Sequence, residues 1–372
     1  MSKRVLVTGG AGFIGSFIVD KLVEQGNDVT IFDNIEPQVH PNGKIPTYLN
    51  KKANFIKGDM KDYNAVKEMI KDAEIILHKA AMVGVGQSMY QIKRYVEANT
   101  LGTANLLNAL ISTEHNVKKL IVASSMSTYG EGSYKCGNCG SVEPQLRPEE
   151  QMAKQDWELH CPKCGKTLKP MATKESKKQE VNSIYAITKK DQEDMVLNIG
   201  RSYGIPSVAL RYFNVYGPRQ SLSNPYTGVV AIFMSRLKNN NKPIVYEDGN
   251  QTRDFISIHD IVESNLLAMN QKAADYEVFN VGTGKAISIK QIAETLAKLL
   301  DMDIKPEITN KFRRGDVRHC FSDISKIKSK LGFEPKVSFE QGLKELIEWS
   351  ANVKAEDKFE QAADELKKRK LI

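Results

Sequence analysis

The chain has 372 residues, 41% hydrophobic and 26% charged, and its 53 Lys and Arg against 45 Asp and Glu give a net charge of +8. That length holds two domains with cores of their own, and the basic excess is scattered rather than gathered into an aromatic-laced stripe, so no nucleic acid partner is expected. No apolar run approaches the roughly 18 residues that span a bilayer. Met1 to Arg4 leads straight into Val5-Leu6-Val7, without room for a signal sequence. No membrane partner and a cytoplasmic location are therefore expected, with the five cysteines as reduced thiols or metal ligands.

Lys3 to Thr8 reads as a short buried strand, followed by Gly9-Gly10-Ala11-Gly12-Phe13-Ile14-Gly15 and an amphipathic helix to about Gln25. Glycines at Gly9, Gly12 and Gly15 permit a tight turn and let a pyrophosphate approach the helix N-terminus, where free N–H groups point at it. A second strand, 28–33, ends in Asp33, placed to bond the adenosine ribose hydroxyls and repel a 2′-phosphate, which favours NAD over NADP. A third ends at Asp59, a candidate adenine contact, and a fourth, 75–78, precedes Ala80-Ala81. Lys79 between them is expected to reach solvent. A helix over 95–113, a buried strand over 120–123, a helix over 185–203 and a strand over 207–211 continue the alternation. The pattern predicts an α/β fold with a Rossmann-type doubly wound parallel sheet, covered on both faces.

In such a sheet ligands bind beyond the carboxyl ends of the strands, which is where Ser124 and Ser125 fall. Tyr185 and Lys189, four residues apart, share one face of a helix. A lysine ammonium beside a phenol favours the phenolate and makes tyrosine a usable base. Between Ser125 and Tyr185 lie Cys136-Gly137-Asn138-Cys139 and Cys161-Pro162-Lys163-Cys164, 21 residues apart. Two such knuckles supply Cys136, Cys139, Cys161 and Cys164 to a closed tetrahedral Zn2+ site of zinc-ribbon type, structural because it keeps no position open for water. Two disulfides and a rubredoxin-type iron centre are the alternatives. The insert is lysine-rich, so the metal is expected to hold it together. Its position suggests the rim of the cleft, as a cover for the substrate or a subunit contact. Cys320 stands alone.

From residue 3 to about 350 the chain resembles the extended short-chain dehydrogenase/reductase family, in its nucleotide-sugar epimerase and dehydratase branch. The glycine turn, Ser124 to Gly130, Tyr185-x-x-x-Lys189, Arg211 to Pro218, Thr252-Arg253-Asp254-Phe255 and Arg313-Arg314-Gly315-Asp316 carry the resemblance in order. It implies that Ser125 bonds the sugar hydroxyl, Tyr185 is the base and Lys189 holds the nicotinamide ribose. It extends the cofactor set to Phe13, Ile14, Asn34, Met60, Ala80, Ala81 and Asn99. Asn214, Arg253 and Arg313 become contacts to a substrate diphosphate, for which arginine offers bidentate donors. Ser127, Asn224 and Asp316 complete the substrate set, and Tyr246 is either a platform for the base or a core residue.

Sugar dehydratases of this branch carry an Asp-Glu pair just after the serine, and its decarboxylases carry a Glu. Met126 and Ser127 stand there instead, and neither transfers protons near neutral pH. What remains is a 4-epimerase with tightly bound NAD acting on a nucleotide-diphosphate sugar. Stretches 220–228 and 315–320 and the cysteine insert are similar to the rhamnose-type 4-epimerases, implying dTDP-L-rhamnose or a related 6-deoxyhexose. UDP-hexose or UDP-N-acetylhexosamine 4-epimerisation and an NAD(P)-dependent 4-keto-sugar reductase or dehydrogenase are the alternatives.

The expected organisation is a cofactor domain over 1–212 and 251–272, a cysteine insert over 131–181, a smaller α/β substrate domain over 213–250 and 273–350, and a C-terminal helix over 351–372 without chemistry. Helices 95–113 and 185–203 pair across the dimer in related enzymes, which implies a homodimer.

Overall fold

The computed structural model describes residues 2–40 and 43–371, so the extreme residues of the first and last expected segments lie outside it. Seven parallel strands form the main sheet: β1 (Arg4–Thr8), β2 (Asp28–Asp33), β3 (Asn54–Lys57), β4 (Ile75–His78), β5 (Lys119–Ser125), β6 (Ser207–Tyr212) and β7 (Val278–Val281), in the order β7-β6-β5-β4-β1-β2-β3.

Strand residues alternate between two cores. Val5, Val7, Ile31, Leu77, Ile121 and Val208 pack under α1 (Phe13–Glu24) and a helix over Ile258–Asn270. Leu6, Phe32, Ile76, Leu120 and Val122 face α2 (Gly102–Ser112) and α3 (Ile184–Tyr203) on the other side. Burial on both faces is why these strands read as unbroken apolar runs rather than alternating ones. Each such side chain contributes about 1.5–3 kcal/mol when fully buried. The strand order reverses between β1 and β4, which opens a crevice beyond their carboxyl ends.

The second half has its own core, with Tyr216, Phe233, Leu237, Val245, Leu296 and Leu343 among its buried residues. The boundary differs from the sequence expectation. β7 belongs to the main sheet although it falls within 273–350, and Phe279, Val281, Ile327 and Leu331 join the core under α1. Four residues of strand are too short for periodicity to separate from a loop-rich smaller domain.

Within 131–181, Ser133–Cys136 pairs antiparallel with both Gly140–Val142 and Lys169–Met171. Its buried cluster is small: Tyr134, Cys136, Val142, Leu159, Cys161 and Leu168.

Candidate active site

A cleft of about 630 Å³ runs from the glycine turn, past the ends of β4, β5 and β6, into the second half. Gly9 has φ of +67°, and a Cβ there would meet the Ala80 backbone nitrogen at 2.7 Å, so only glycine lets the two strand ends close together. No side chain caps α1, and Gly12, Phe13, Ile14 and Gly15 line the cleft at its N-terminus. Asp33 is buried and accepts from Ala11 N at 3.0 Å and Ile35 N at 2.8 Å, leaving lone pairs on both oxygens for a ligand. Asn34 donates to Asp59 at 3.2 Å, and both line the cleft with Met60, Ala80 and Ala81. Asn99 does not. Its amide is buried, accepting from Met82 N at 2.7 Å and donating to Thr188 Oγ1 at 2.9 Å, so it fixes the loop after β4 against α3.

The chemical end is assembled from β5 and α3. Ser125 caps the turn Met126–Tyr129, accepting from Ser127 N at 3.2 Å and Ser127 Oγ at 3.0 Å. The Ser125 side chain stands beside the Tyr185 phenol and favours its ionised form, and the Tyr185 backbone N–H donates to Ser88 Oγ at 3.0 Å. Lys189 is buried one turn along and donates to Gln192 Oε1 at 2.7 Å. Burial raises the Tyr185 pKa, opposed by the neighbouring Ser125 side chain, and lowers Lys189 to about 7. This is opposite to the expected lowering of the phenol, because burial dominates at Tyr185 and also disfavours the Lys189 charge.

Lys79 also departs from expectation. It lines the cleft instead of reaching solvent, donates to the Tyr212 hydroxyl at 3.0 Å, and has its pKa pushed well below the usual lysine value by burial and then by Lys189. Tyr212 in turn donates to Asn265 Oδ1 at 2.9 Å. Beside Ser125 the cleft is lined by Met126 and Ser127, with no carboxylate in that turn.

The second half supplies the other wall. Arg313 donates to Asp316 at 2.9 Å and lies 5.0 Å over the Tyr246 ring, so Tyr246 faces the cleft rather than the core. Arg253 is held by the carbonyls of Thr252 at 2.9 Å, Val317 at 2.6 Å and Arg318 at 3.1 Å. Asn224 Oδ1 accepts from Tyr226 N at 3.1 Å and shapes a turn that lines the cleft. Three buried amide oxygens along this cleft have no partner among the described residues: Asn214 Oδ1, Gln220 Oε1 and Gln251 Oε1. Gln251 Nε2 donates to Tyr246 O at 3.0 Å, which fixes the amide orientation. Orphaned acceptors in a cleft want donors such as sugar hydroxyls. Sequence reasoning missed Gln220 and Gln251, since a glutamine carries no pattern of its own.

The four sulfur atoms of Cys136, Cys139, Cys161 and Cys164 lie within 4.8 Å of one another, a fit to one tetrahedral thiolate site. Backbone N–H groups of Asn138 and Cys139 hold the Cys136 thiol down to about 6, and Gly140 and Gly165 adopt the positive φ the knuckles need. The expected rim position is not seen: no residue of 131–181 lines the cleft. The insert instead docks through buried charges. Arg147 meets Glu247 at 2.8 Å, and Arg318 meets Glu247 at 2.9 Å, Asp248 at 2.7 Å and Glu158 at 2.6 Å. Cys320 is packed with Tyr129 and Phe213, its thiol pushed up to about 12 by burial.

The C-terminal helix, Phe359–Lys368, is not the chemistry-free appendage expected. Phe359, Ala362, Ala363 and Leu366 line the cleft. Among the described residues no helix is long and apolar enough to cross a membrane.

Residues 5–151 match the NAD dependent epimerase/dehydratase family and residues 165–346 match GDP-mannose 4,6 dehydratase. The chain is 36% identical over 352 residues to dTDP-L-rhamnose 4-epimerase of Burkholderia thailandensis, covering 94% of this chain and 95% of that one. UDP-glucose 4-epimerase of Thermotoga maritima, solved with UDP-glucose, superposes with a TM-score of 0.76 at 33% identity over 94% of this chain and 98% of that one. The same enzyme of Thermus thermophilus, solved with NAD, gives 0.74 at 30% identity over 94% and 100%.

Proposed function

The chain belongs to the NAD dependent epimerase/dehydratase family, and from that premise we propose that it is a nucleotide-sugar 4-epimerase acting on dTDP-L-rhamnose or a related 6-deoxyhexose. The observation that carries the reaction type is the turn after β5, where Met126 and Ser127 leave Ser125 and Tyr185 without a neighbouring acid or base for elimination.

NAD, when bound, would supply a reversible acceptor for the hydride of the sugar C4. Gly9, Gly12, Gly15 and the α1 N-terminus hold its pyrophosphate, and Asp33 takes the adenosine ribose. Ser125 hydrogen-bonds the C4 oxygen while Tyr185 removes its proton, and Lys189 one turn away supports the phenolate once ligands complete the site. Arg253 and Arg313 hold the diphosphate, Asn214 accepts from a sugar hydroxyl, and Tyr246 with Arg313 forms the platform for the pyrimidine. Anchoring at the diphosphate leaves the 4-keto sugar free to turn before the hydride returns.

The cysteine cluster holds a structural zinc in this reading. Exposed Ile92, Val96 and Leu101 on the helical segments leading into α2, with Ile187 on α3, support a homodimer. A cytoplasmic location fits reduced cysteines and a soluble sugar-nucleotide substrate.

The purified protein, with no cofactor added, is incubated with dTDP-L-rhamnose and with UDP-sugars. The C4 epimer should appear without net NADH. A strict need for external NADPH would select the reductase instead.

A further inference from the structure

We infer that the C-terminal helix Phe359–Lys368 is the outer wall of the sugar subsite and makes the site select sugars that carry no charge at C6. The inference rests on the 4-epimerase reading for what the cleft binds.

Phe359, Ala362, Ala363 and Leu366 recur at i, i+3, i+4 and i+7, which places them on one face of the helix, and that face lines the cleft. Its far end lies against the loop that borders the reacting centre. A side chain at Gly86 would meet Leu366 Cδ2 at 3.3 Å, and two residues on Ser88 Oγ accepts from the Tyr185 backbone. A sugar with its C4 oxygen on Ser125 and Tyr185 is therefore closed in by Leu366 and Ala363.

Three contacts hold the helix there. The Tyr90 hydroxyl donates to Glu365 at 2.7 Å, the Tyr226 hydroxyl lies 3.3 Å from the same oxygen, and Arg369 stacks 4.2 Å from the Tyr90 ring centroid. At the near end Arg236 stacks 4.6 Å from Phe359 and meets Asp357 at 3.4 Å. The strap thus crosses the cleft from the nucleotide side to the sugar side.

Its chemistry is one-sided. The cations lining the cleft are Lys79, Lys189, Arg253 and Arg313; the helix adds none, and the charge it ties down is the Glu365 carboxylate. A methyl or hydroxymethyl group gains by burial against this wall. A uronate carboxylate would lose its water, find no donor on the wall, and feel the like charge of Glu365, held by Tyr90 and Tyr226 beside the lining face. A smooth apolar wall also offers no hydrogen bonds to resist the turning of the keto sugar.

The test is equilibrium binding to the NAD-loaded, full-length enzyme. UDP-glucose and dTDP-L-rhamnose should bind at least about tenfold more tightly than UDP-glucuronate. Leu366→Arg should narrow the UDP-glucose to UDP-glucuronate ratio at least about fivefold, and Glu365→Gln about threefold, with thermal midpoints recorded for both. If Leu366→Arg does not fold, Glu365→Gln carries the same expectation. Equal affinity for the uronate in wild type, or a ratio unmoved in the folded variants, overturns the wall. Discrimination in binding without epimer from any neutral sugar would sink the epimerase reading and leave the wall standing.

Discussion

Arg147 has a side chain only 1% exposed, and its partner Glu247 is 2% exposed, joined through two bonds of 2.8 Å. Removing one member of a buried ion pair costs about 3–5 kcal/mol, because the other charge is stranded without water. Glu247 is not wholly stranded, since Arg318 stays 2.9 Å from Oε2, which places Arg147→Met near the lower end, about 3 kcal/mol. A net stability of about 5–15 kcal/mol leaves such a variant folded but visibly weakened. Metal-replete wild type and variant are compared by urea denaturation, with Glu247→Gln and the double variant closing the cycle. Arg147 also donates to the Asp316 carbonyl at 3.3 Å, beside the Arg313 contact, so the KM for nucleotide sugar should rise while NAD affinity holds. A loss under about 1 kcal/mol with no coupling is what an exposed pair gives, and it would refute a docked insert.

Tyr185→Phe should lower turnover by about 10²–10⁴-fold while nucleotide-sugar binding by titration stays near wild type; full activity would remove tyrosine from the proton transfer. In cofactor-free protein Lys189 is lowered to about 7 from an unfolded value of 10.5. Between those values the unfolded chain binds the extra proton, so stability rises with pH across that window. The advantage of Lys189→Met over wild type should therefore shrink from pH 7 to 10, and a constant gap would mean the lysine titrates normally. Metal analysis should find one zinc per chain in wild type and none in Cys136→Ser. Loss of that zinc should lower the thermal midpoint, and an unchanged midpoint would deny the metal its structural role.

The parts of this molecule legible in its sequence are those whose cause is local. The Gly9 to Gly15 turn, the strand ending in Asp33 and the Tyr185–Lys189 pair each declare themselves within a few residues, because backbone conformation and helix periodicity act at that range. The four cysteines declare a common site because soft ligands at knuckle spacing have few other uses. What escaped depends on groups far apart in the chain. Lys79 reads as a solvent residue because its partner, Tyr212, lies 133 positions later in the chain. The apolar face of the last helix was visible as a pattern, but periodicity says that a face will be covered without saying by what. The insert shows both limits at once. Its cysteine cluster was readable, yet its place was not, since Arg147, Glu158, Glu247 and Arg318 are surface-type residues that only the fold gathers into one network, three of them buried and Glu158 half-exposed. Burying three such charges is costly unless geometry satisfies them together, so the network works as a register pin more than as a source of stability. The four-cysteine knot held by that pin fixes the 316–318 segment, and through it Arg253, without entering the cleft.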